Sequence, residues 1–467
     1  MCAVAFLSVP VVASAQSLQP VKTEEVGLSS QRLAKIAEVF NQEIKDQKIP
    51  GAVIMIARKG KVAYHEAFGA QDKSAERTMA KDSIFRIYSM TKALASVGAM
   101  ILIEDGKVRL TDPVAKFLPE FKNVQVSTPR SDGMGQLTYG LVPADRQPTI
   151  QDLLRHTAGL AYGEITGNAR VKTAYTNAGL FTPGADYFSI ELTPDEFTAK
   201  IAETPLAYQP GTTWEYSLAV DVLGRVVEKA SGKRLSEFLD ERLFKPLKMT
   251  DTGLSVPADR MVRLSQPFAV DPASGAPNKL IDVSKPPKND SGGAGAVSTA
   301  ADYLRFSQML LNGGELDGTR ILSRTTVALM ASDHLPPAIR QTVQPGEQLL
   351  GVQGYSFGLG FAVRKEQGVA GVHGSPGEFT WAGYAGTYFW IDPKEQLVGV
   401  LMTQAPGPSR PYYRRMLRPH LPGDRRLIGS AAGLCSGMGG GFRARPRRAR
   451  RDRRFSPSTR AENAIAA

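Results

Sequence analysis

The chain has 467 residues, 42% hydrophobic and 22% charged, enough to bury a large core as one domain or two joined ones and ordinary for a globular protein. Its net charge of +12 would point to nucleic acid if spread over the fold, but downstream of residue 423 eleven arginines face only Asp424, Asp452 and Glu462, and the roughly +4 left elsewhere excludes that partner. Two cysteines at the extremes, Cys2 and Cys435, and five scattered histidines exclude a disulfide framework, a thiol nucleophile and a metal site, and no apolar run reaches the ~18 residues of a membrane span.

Residues 3–15, AVAFLSVPVVASA, end in Ala13-Ser14-Ala15, the small-x-small pattern that a signal peptidase cuts after, although no basic n-region precedes it. The mature chain is therefore expected to start near Gln16 and to work in the periplasm or outside the cell. A helix follows from about Ser30 to Gln47, capped by Ser29 or Ser30, with Leu33, Ile36, Phe40 and Ile44 on one stripe. Residues 52–57 and 62–68 form a hairpin about Arg58-Lys59-Gly60-Lys61.

Residues 86–104, RIYSMTKALASVGAMILIE, predict a helix with almost no polar face, ended by Gly106. Ser89 lies in its first turn and Lys92 three residues on, a spacing that stacks a hydroxyl and an amine on one face: a nucleophile beside a base. Further on, 127–148 reads as a loop, and Thr149 caps a short helix over TIQDLLRHTAGL, stopped by Gly159. His156, at that helix end, is expected to hold backbone carbonyls rather than to act as a base. Residues 161–193 lack periodicity and read as a lid or substrate wall.

Thr193-Pro194-Asp195-Glu196 opens a helix, and a second runs from Leu218 to a Gly232 cap with Tyr216 in the turn before it. Residues 290–297 form a Gly-rich turn, read as close packing because no strand precedes it and no Gly-Lys-Ser/Thr follows. A helix capped by Ser298 or Thr299 comes next. Strands are predicted at 355–364, 368–373, 378–383, 387–392 and 397–404, a meander without the βαβ alternation of a parallel sheet. From about 424 the Arg- and Gly-rich sequence cannot bury a core and is expected to be disordered through residue 467; its composition is what a shifted reading frame produces.

Three stretches carry the chemistry: Ser89-Met90-Thr91-Lys92, Tyr216-Ser217-Leu218 and Trp381-Ala382-Gly383. In this order and spacing, together with TIQDLLRHTAGL, GTTWEYS, LFKPLKMTDTG, GGAGAVSTAADY and WAGYAGTYFWIDP, they resemble the serine β-lactamase and penicillin-binding-protein superfamily, and within it the family VIII carboxylesterases. The likeness extends from about Val26 to Gln404. It implies an α/β fold of the α+β type: an antiparallel sheet built from both chain ends (about 21–72 and 351–422), flanked by helices, with a mainly helical region (about 73–350) inserted. It also implies Ser89 as nucleophile, Lys92 or Tyr216 as its base, and an oxyanion hole from the backbone N–H groups of Ser89 and Tyr384, with no cofactor.

Lactamases usually hold Asn where this chain has Leu218, and Lys or His where it has Trp381. Without that amide and that cation, Leu218, Trp381, Ala382 and Gly383 are expected to bind an apolar acyl or alkoxy group. The expected substrate is a small ester, with a class C-like β-lactamase or D-amino-acid peptidase as the alternatives within the fold. A non-catalytic penicillin-binding or sensor protein is the alternative of another class. HGSPG at 373–377 nearly forms a nucleophile elbow, but His373 stands where Gly is needed, so Ser375 is read as a turn residue.

Overall fold

In a computed structural model, the structure describes residues 18–131, 133–182 and 191–406; the expected signal peptide and the Arg-rich tail lie outside them. Helix α1 spans Ser30–Lys45, with the Ser29 side chain accepting from Arg32 N–H at 3.3 Å. Its Phe40 ring stacks on Phe68 at 6.0 Å. Strands β1 (Gly51–Arg58) and β2 (Lys61–Asp72) form the expected hairpin, turned by Lys59 and Gly60, both at positive φ, as a tight hairpin turn requires. The short β3 (Arg77–Thr78) pairs with β2.

The middle of the chain supplies β4 (Phe85–Arg86), α2 (Thr91–Glu104), a hairpin of β5 (Gln125–Ser131) and β6 (Leu137–Pro143), α3 (Ile150–Leu154), α4 (Ala169–Asn177), α5 (Pro194–Glu203), α6 (Ala219–Ser231), α7 (Leu235–Leu239), β7 (Val297–Ser298) and α8 (Ala300–Leu311). The later strands of the large sheet are β8 (Tyr355–Phe357), β9 (Ala362–Arg364), β10 (Phe379–Ala382), β11 (Tyr388–Asp392) and β12 (Leu397–Thr403). The large sheet runs β8-β9-β10-β11-β12-β1-β2-β3, antiparallel at every pairing.

The two ends of the chain meet at β1 and β12, in register from Ala52 opposite Thr403 to Arg58 opposite Leu397. All of β12 and all but the last residue of β1 are buried. Both faces of the sheet are therefore covered here, which is why these segments read as unbroken apolar runs. On the sheet, Tyr303 of α8 meets Phe389 at 5.1 Å between ring centroids. Helix α2 is buried from Thr91 to Leu102, packed against α6 and α7.

Five expectations are corrected. Residues 355–364 are not one strand but two, β8 and β9, paired antiparallel with each other. Residues 86–90 do not begin the helix: β4 pairs with β7, the Arg86 guanidinium donates to the Ile281 and Ser265 carbonyls, and Ser89 sits in a 3-10 turn, Tyr88–Met90, ahead of α2. Within 127–148 the chain forms the β5–β6 hairpin; its residues are mostly exposed, so no apolar alternation marked them. Within 161–193, α4 is capped by Asn168, whose side chain accepts from Val171 N–H at 3.2 Å, and buries only Val171 and Tyr175, too few for a visible stripe. Residues 368–373 form no strand. The buried Arg364 gathers the carbonyls of Glu366, Gln367 and Val372 at 3.2, 2.7 and 2.7 Å, and satisfying that cation bends the segment into a loop.

Gly399 of β12 lies opposite Trp390 of β11, and a Cβ there would run into the indole ring. Gly399→Ala should cost about 2–3 kcal/mol of unfolding free energy, typical of overpacking, read as a lower urea midpoint at unchanged slope. At the start of α8, burial pushes the Asp302 carboxyl up from 3.8 to about 6, although its Oδ2 accepts from Asp251 N–H (2.7 Å) and Thr252 Oγ1 (3.0 Å). Between those two values the folded chain holds a proton that the unfolded chain has lost, so stability falls as pH rises through the window. Asp302→Asn should remove roughly 2 kcal/mol of that slope, seen in urea unfolding at pH 4.5 and pH 7.

Candidate active site

From Ser83 to Leu102, Ser89 is the one residue that is not buried. The turn that presents it is fixed from several sides. Tyr88 adopts a positive φ of 43°, a conformation that costs a non-glycine residue free energy and persists only when its surroundings impose it. Here the Tyr88 hydroxyl accepts from Ile281 N–H at 3.1 Å, and its ring meets Tyr384 edge-on at 5.4 Å. Ile87 N–H donates to the Ala296 carbonyl (3.0 Å), Ala296 N–H donates to Thr91 Oγ1 (3.0 Å), and the Tyr303 hydroxyl donates to the Met90 carbonyl (2.9 Å).

Lys92, in the first turn of α2, has no solvent exposure. Its Nζ donates to the Gly293 carbonyl at 2.8 Å and the Tyr162 hydroxyl at 3.0 Å, and reaches Ser89 Oγ at 3.5 Å. It also lies 4.7 Å from the centre of the Tyr216 ring and 5.4 Å from that of Tyr162, where ring faces favour a cation. The structure thus brings Ser89, Lys92 and Tyr216 together. Among the described residues the Tyr216 hydroxyl has no protein partner.

Tyr216 is walled by aromatic rings: Tyr162 at 5.3 Å, Trp381 at 5.3 Å and His156 at 4.9 Å. Trp381, on β10, is fully buried and also packs edge-on against Phe357 at 5.2 Å. Leu218 is 2% exposed and its N–H donates to the Ala161 carbonyl at 3.3 Å; Ala382 is buried as well. The end of β10 touches the chain before Ser89: a Cβ on Gly383 would run into the Ile87 carbonyl, and Thr387 Oγ1 donates to that same carbonyl at 3.3 Å. Tyr384 follows, 43% exposed, with its ring against Tyr88. All the predicted site residues are therefore in one place, Trp381 and Leu218 as buried backing to the phenol rather than as open surface.

Three contributors escaped the sequence reading. Tyr162 lay in the stretch without periodicity, and the AYG after Gly159 gave no sign that its hydroxyl meets Lys92. Gly293 belongs to the turn read as close packing. That reading holds, since a Cβ at Gly292 would strike the Val220 carbonyl, but the tightness also delivers the Gly293 carbonyl to the amine. His156 does not hold the carbonyls of its helix end. Its φ is +56° and its Nδ1 lies 3.1 Å from Ser217 Oγ, with the ring between Tyr216, Trp214 and Phe357. Burial, and secondarily the nearby Lys92, push the imidazole well below its ordinary value, so it stays neutral as an aromatic wall. Ser375, by contrast, sits in the turn before β10 with its N–H donating to Asp392 Oδ2 at 3.1 Å, in a sheet that has no parallel strand pair.

Chemically, the arrangement offers one solvent-reachable hydroxyl, an amine and a phenol beside it, and apolar walls that exclude water. Such a set suits acyl transfer through a covalent intermediate. Among the described residues no cluster of His, Cys, Asp and Glu could hold a metal ion.

The Beta-lactamase family model matches residues 36–419. Protein Rv1367c of Mycobacterium tuberculosis is 35% identical over 365 residues, 76% of this chain and 86% of that protein. Esterase EstB of Burkholderia gladioli is 30% identical over 390 residues, 79% of this chain and 90% of that one. Among solved structures, EstCE1, a hydrolase with promiscuous acyltransferase activity, superposes with a TM-score of 0.66 at 27% identity, covering 84% of this chain and 98% of its own. The unliganded, selenomethionyl simvastatin synthase LovD of Aspergillus terreus shares the fold with a TM-score of 0.68 at 24% identity, covering 84% of this chain and 98% of that one. With its Ser89 turn, buried lysine and two-ended antiparallel sheet, the chain belongs to the Beta-lactamase family of serine hydrolases.

Proposed function

We propose that the protein is a carboxylesterase that cleaves short-chain esters through an acyl-enzyme on Ser89. The observation that carries this reading is the approach of the fully buried Lys92 amine to Ser89 Oγ, with the Tyr216 ring at its side. Ser89 Oγ attacks the ester carbonyl as its proton passes to the Lys92–Tyr216 pair. The carbonyl oxygen, negative in the tetrahedral intermediate, is held by the backbone N–H groups of Ser89 and Tyr384, each such donor worth ~3 kcal/mol. The C–O bond then breaks, the alcohol leaves with the proton, and water repeats the sequence on the acyl-enzyme.

The ester preference is supported by what surrounds the phenol. Trp381 and Leu218 stand where a lactamase offers a cation and an amide, so a β-lactam carboxylate and side-chain amide would go unpaired, and sites lacking polar partners discriminate against such groups. Esterase activity in EstB supports the same choice. Export, as a signal peptide over residues 3–15 would direct, belongs to this proposal and rests on the sequence alone.

Ser89→Ala, Lys92→Ala and Tyr216→Phe should each lower kcat/KM for p-nitrophenyl butyrate by about 1000-fold or more, without the losses multiplying in a double variant, as for residues that act as a unit. A fluorophosphonate should label the peptide containing Ser89; labelling at Ser375 would move the nucleophile elsewhere. Assayed side by side, p-nitrophenyl butyrate should be turned over with a kcat/KM well above that for nitrocefin, and the reverse order would make the protein a β-lactamase with the same catalytic residues.

A further inference from the structure

Beyond the Gly293 carbonyl that holds Lys92, the hydrogen bonds continue in one direction. The Gly293 carbonyl and the Ala294 N–H belong to the same peptide unit, and that N–H donates to Ser291 Oγ at 2.9 Å. Ser291 Oγ in turn donates to Asp221 Oδ1 at 2.6 Å. From the amine to the carboxylate each group accepts on one side and donates on the other: Lys92 Nζ–H to O=C of Gly293, N–H of Ala294 to Ser291, O–H of Ser291 to Asp221. Hydrogen bonds aligned in this way polarise one another.

The carboxylate at the far end is unusual. Asp221 lies on α6, five residues after Tyr216, and is 1% exposed. Its Oδ1 accepts from Ser291 and from Gly293 N–H (3.2 Å), and its Oδ2 has no partner among the described residues. A buried carboxylate with only neutral donors is costly unless a cation compensates it. We infer that Asp221 is a positioning residue for catalysis: through Ser291 and the Gly293–Ala294 peptide it holds the Lys92 amine in place and balances its charge. The Gly-rich DSGGAGA turn and the Asp of YSLAVD thus serve one purpose. Glycine is needed at 293 because a side chain there would strike the Asp221 carboxylate.

Other groups also face Lys92. Tyr162, His156 and the exposed Glu164 come from the loop after α3, and Tyr216 and Ser89 from the turns before α6 and α2. Beyond α7, Arg242 pairs with Asp105 at the opposite end of α2, at 2.8 Å. Asp221 is distinguished from these by its hydrogen-bonded path to the amine.

The inference deepens the esterase reading, since it assigns Lys92 a catalytic part, but it can be read without turnover. Lysine labelled with 13C and 15N at its side chain would be followed by NMR against pH in the full chain, with the Lys92 signal assigned by its loss in Lys92→Arg. Asp221→Asn keeps the shape and the Oδ1 acceptor and removes only the charge. A negative charge favours the ammonium, so its removal should bring the Lys92 titration about one pH unit lower. Ser291→Ala, which cuts the path but keeps the carboxylate, should move it the same way by less, and should lower kcat for p-nitrophenyl butyrate about tenfold at similar KM. A Lys92 titration identical to wild type in a folded Asp221→Asn protein would overturn the inference; if that variant does not fold, an unmoved titration and kcat in Ser291→Ala would do so. Absence of ester turnover in the wild-type chain, with the NMR shifts as expected, would sink the esterase reading and leave the relay standing.

Discussion

A lysine amine cut off from water must find an acceptor for each N–H it keeps, and Lys92 finds them on three separate pieces of chain. Ser89 comes from the turn before α2, Tyr162 from the loop after α3 and Gly293 from the glycine turn before β7. Taking the charge out of water costs several kcal/mol. That cost ties the three segments together, since displacing any of them leaves a buried donor without a partner. Other contacts follow from this demand. The strained Tyr88 backbone aims Ser89 at the amine, and the two glycines at 292 and 293 let the carbonyl come close.

The large sheet contributes by closing the chain on itself. Because β1 and β12 come from opposite ends and lie side by side, the segment just after the first hairpin and the segment just before the last strands fall next to each other. Ile87 and Thr387, 300 residues apart, share a hydrogen bond at 3.3 Å, and the Gln404 side chain donates to the Arg86 carbonyl at 3.1 Å. Helix α8 braces the same turn from below through Tyr303. Ser89 thus rests on backbone from both the sheet and the helical part, the kind of mount that the proposed catalytic geometry needs.

Periodicity and caps in the sequence revealed what local rules govern. Ser29, Thr149, Thr193 and Thr299 cap their helices as expected, and the alternation and length of the strand runs placed β1, β2, β10, β11 and β12. Ser89, Lys92 and Tyr216, which the structure brings together, were legible through spacing and motif order. The rest depended on contacts between distant segments. That the helix starts at Thr91 and not at Arg86 was hidden, because Phe85 and Arg86 pair with Val297–Ser298, more than 200 residues away. Nothing local distinguishes Tyr162 from a core tyrosine. Asp221 carries no local signal, because its partner Ser291 lies 70 residues further along the chain.

Some of the buried polar atoms without a protein partner lie around Tyr216. Buried polar groups in folded proteins are overwhelmingly paired, yet His156 Nε2, Trp214 Nε1, Tyr216 Oη and Trp381 Nε1 have no protein partner among the described residues. All four belong to a single cluster of touching rings around Tyr216. Each such group costs about 1–3 kcal/mol if left unsatisfied, so a core selected for stability alone would replace some of these rings by aliphatic side chains. Keeping them gives Tyr216 a wall that is rigid and apolar, and leaves its hydroxyl uncommitted to any protein acceptor. The proton transfer proposed for Tyr216 needs a hydroxyl free in this way, and the surrounding rings leave it so.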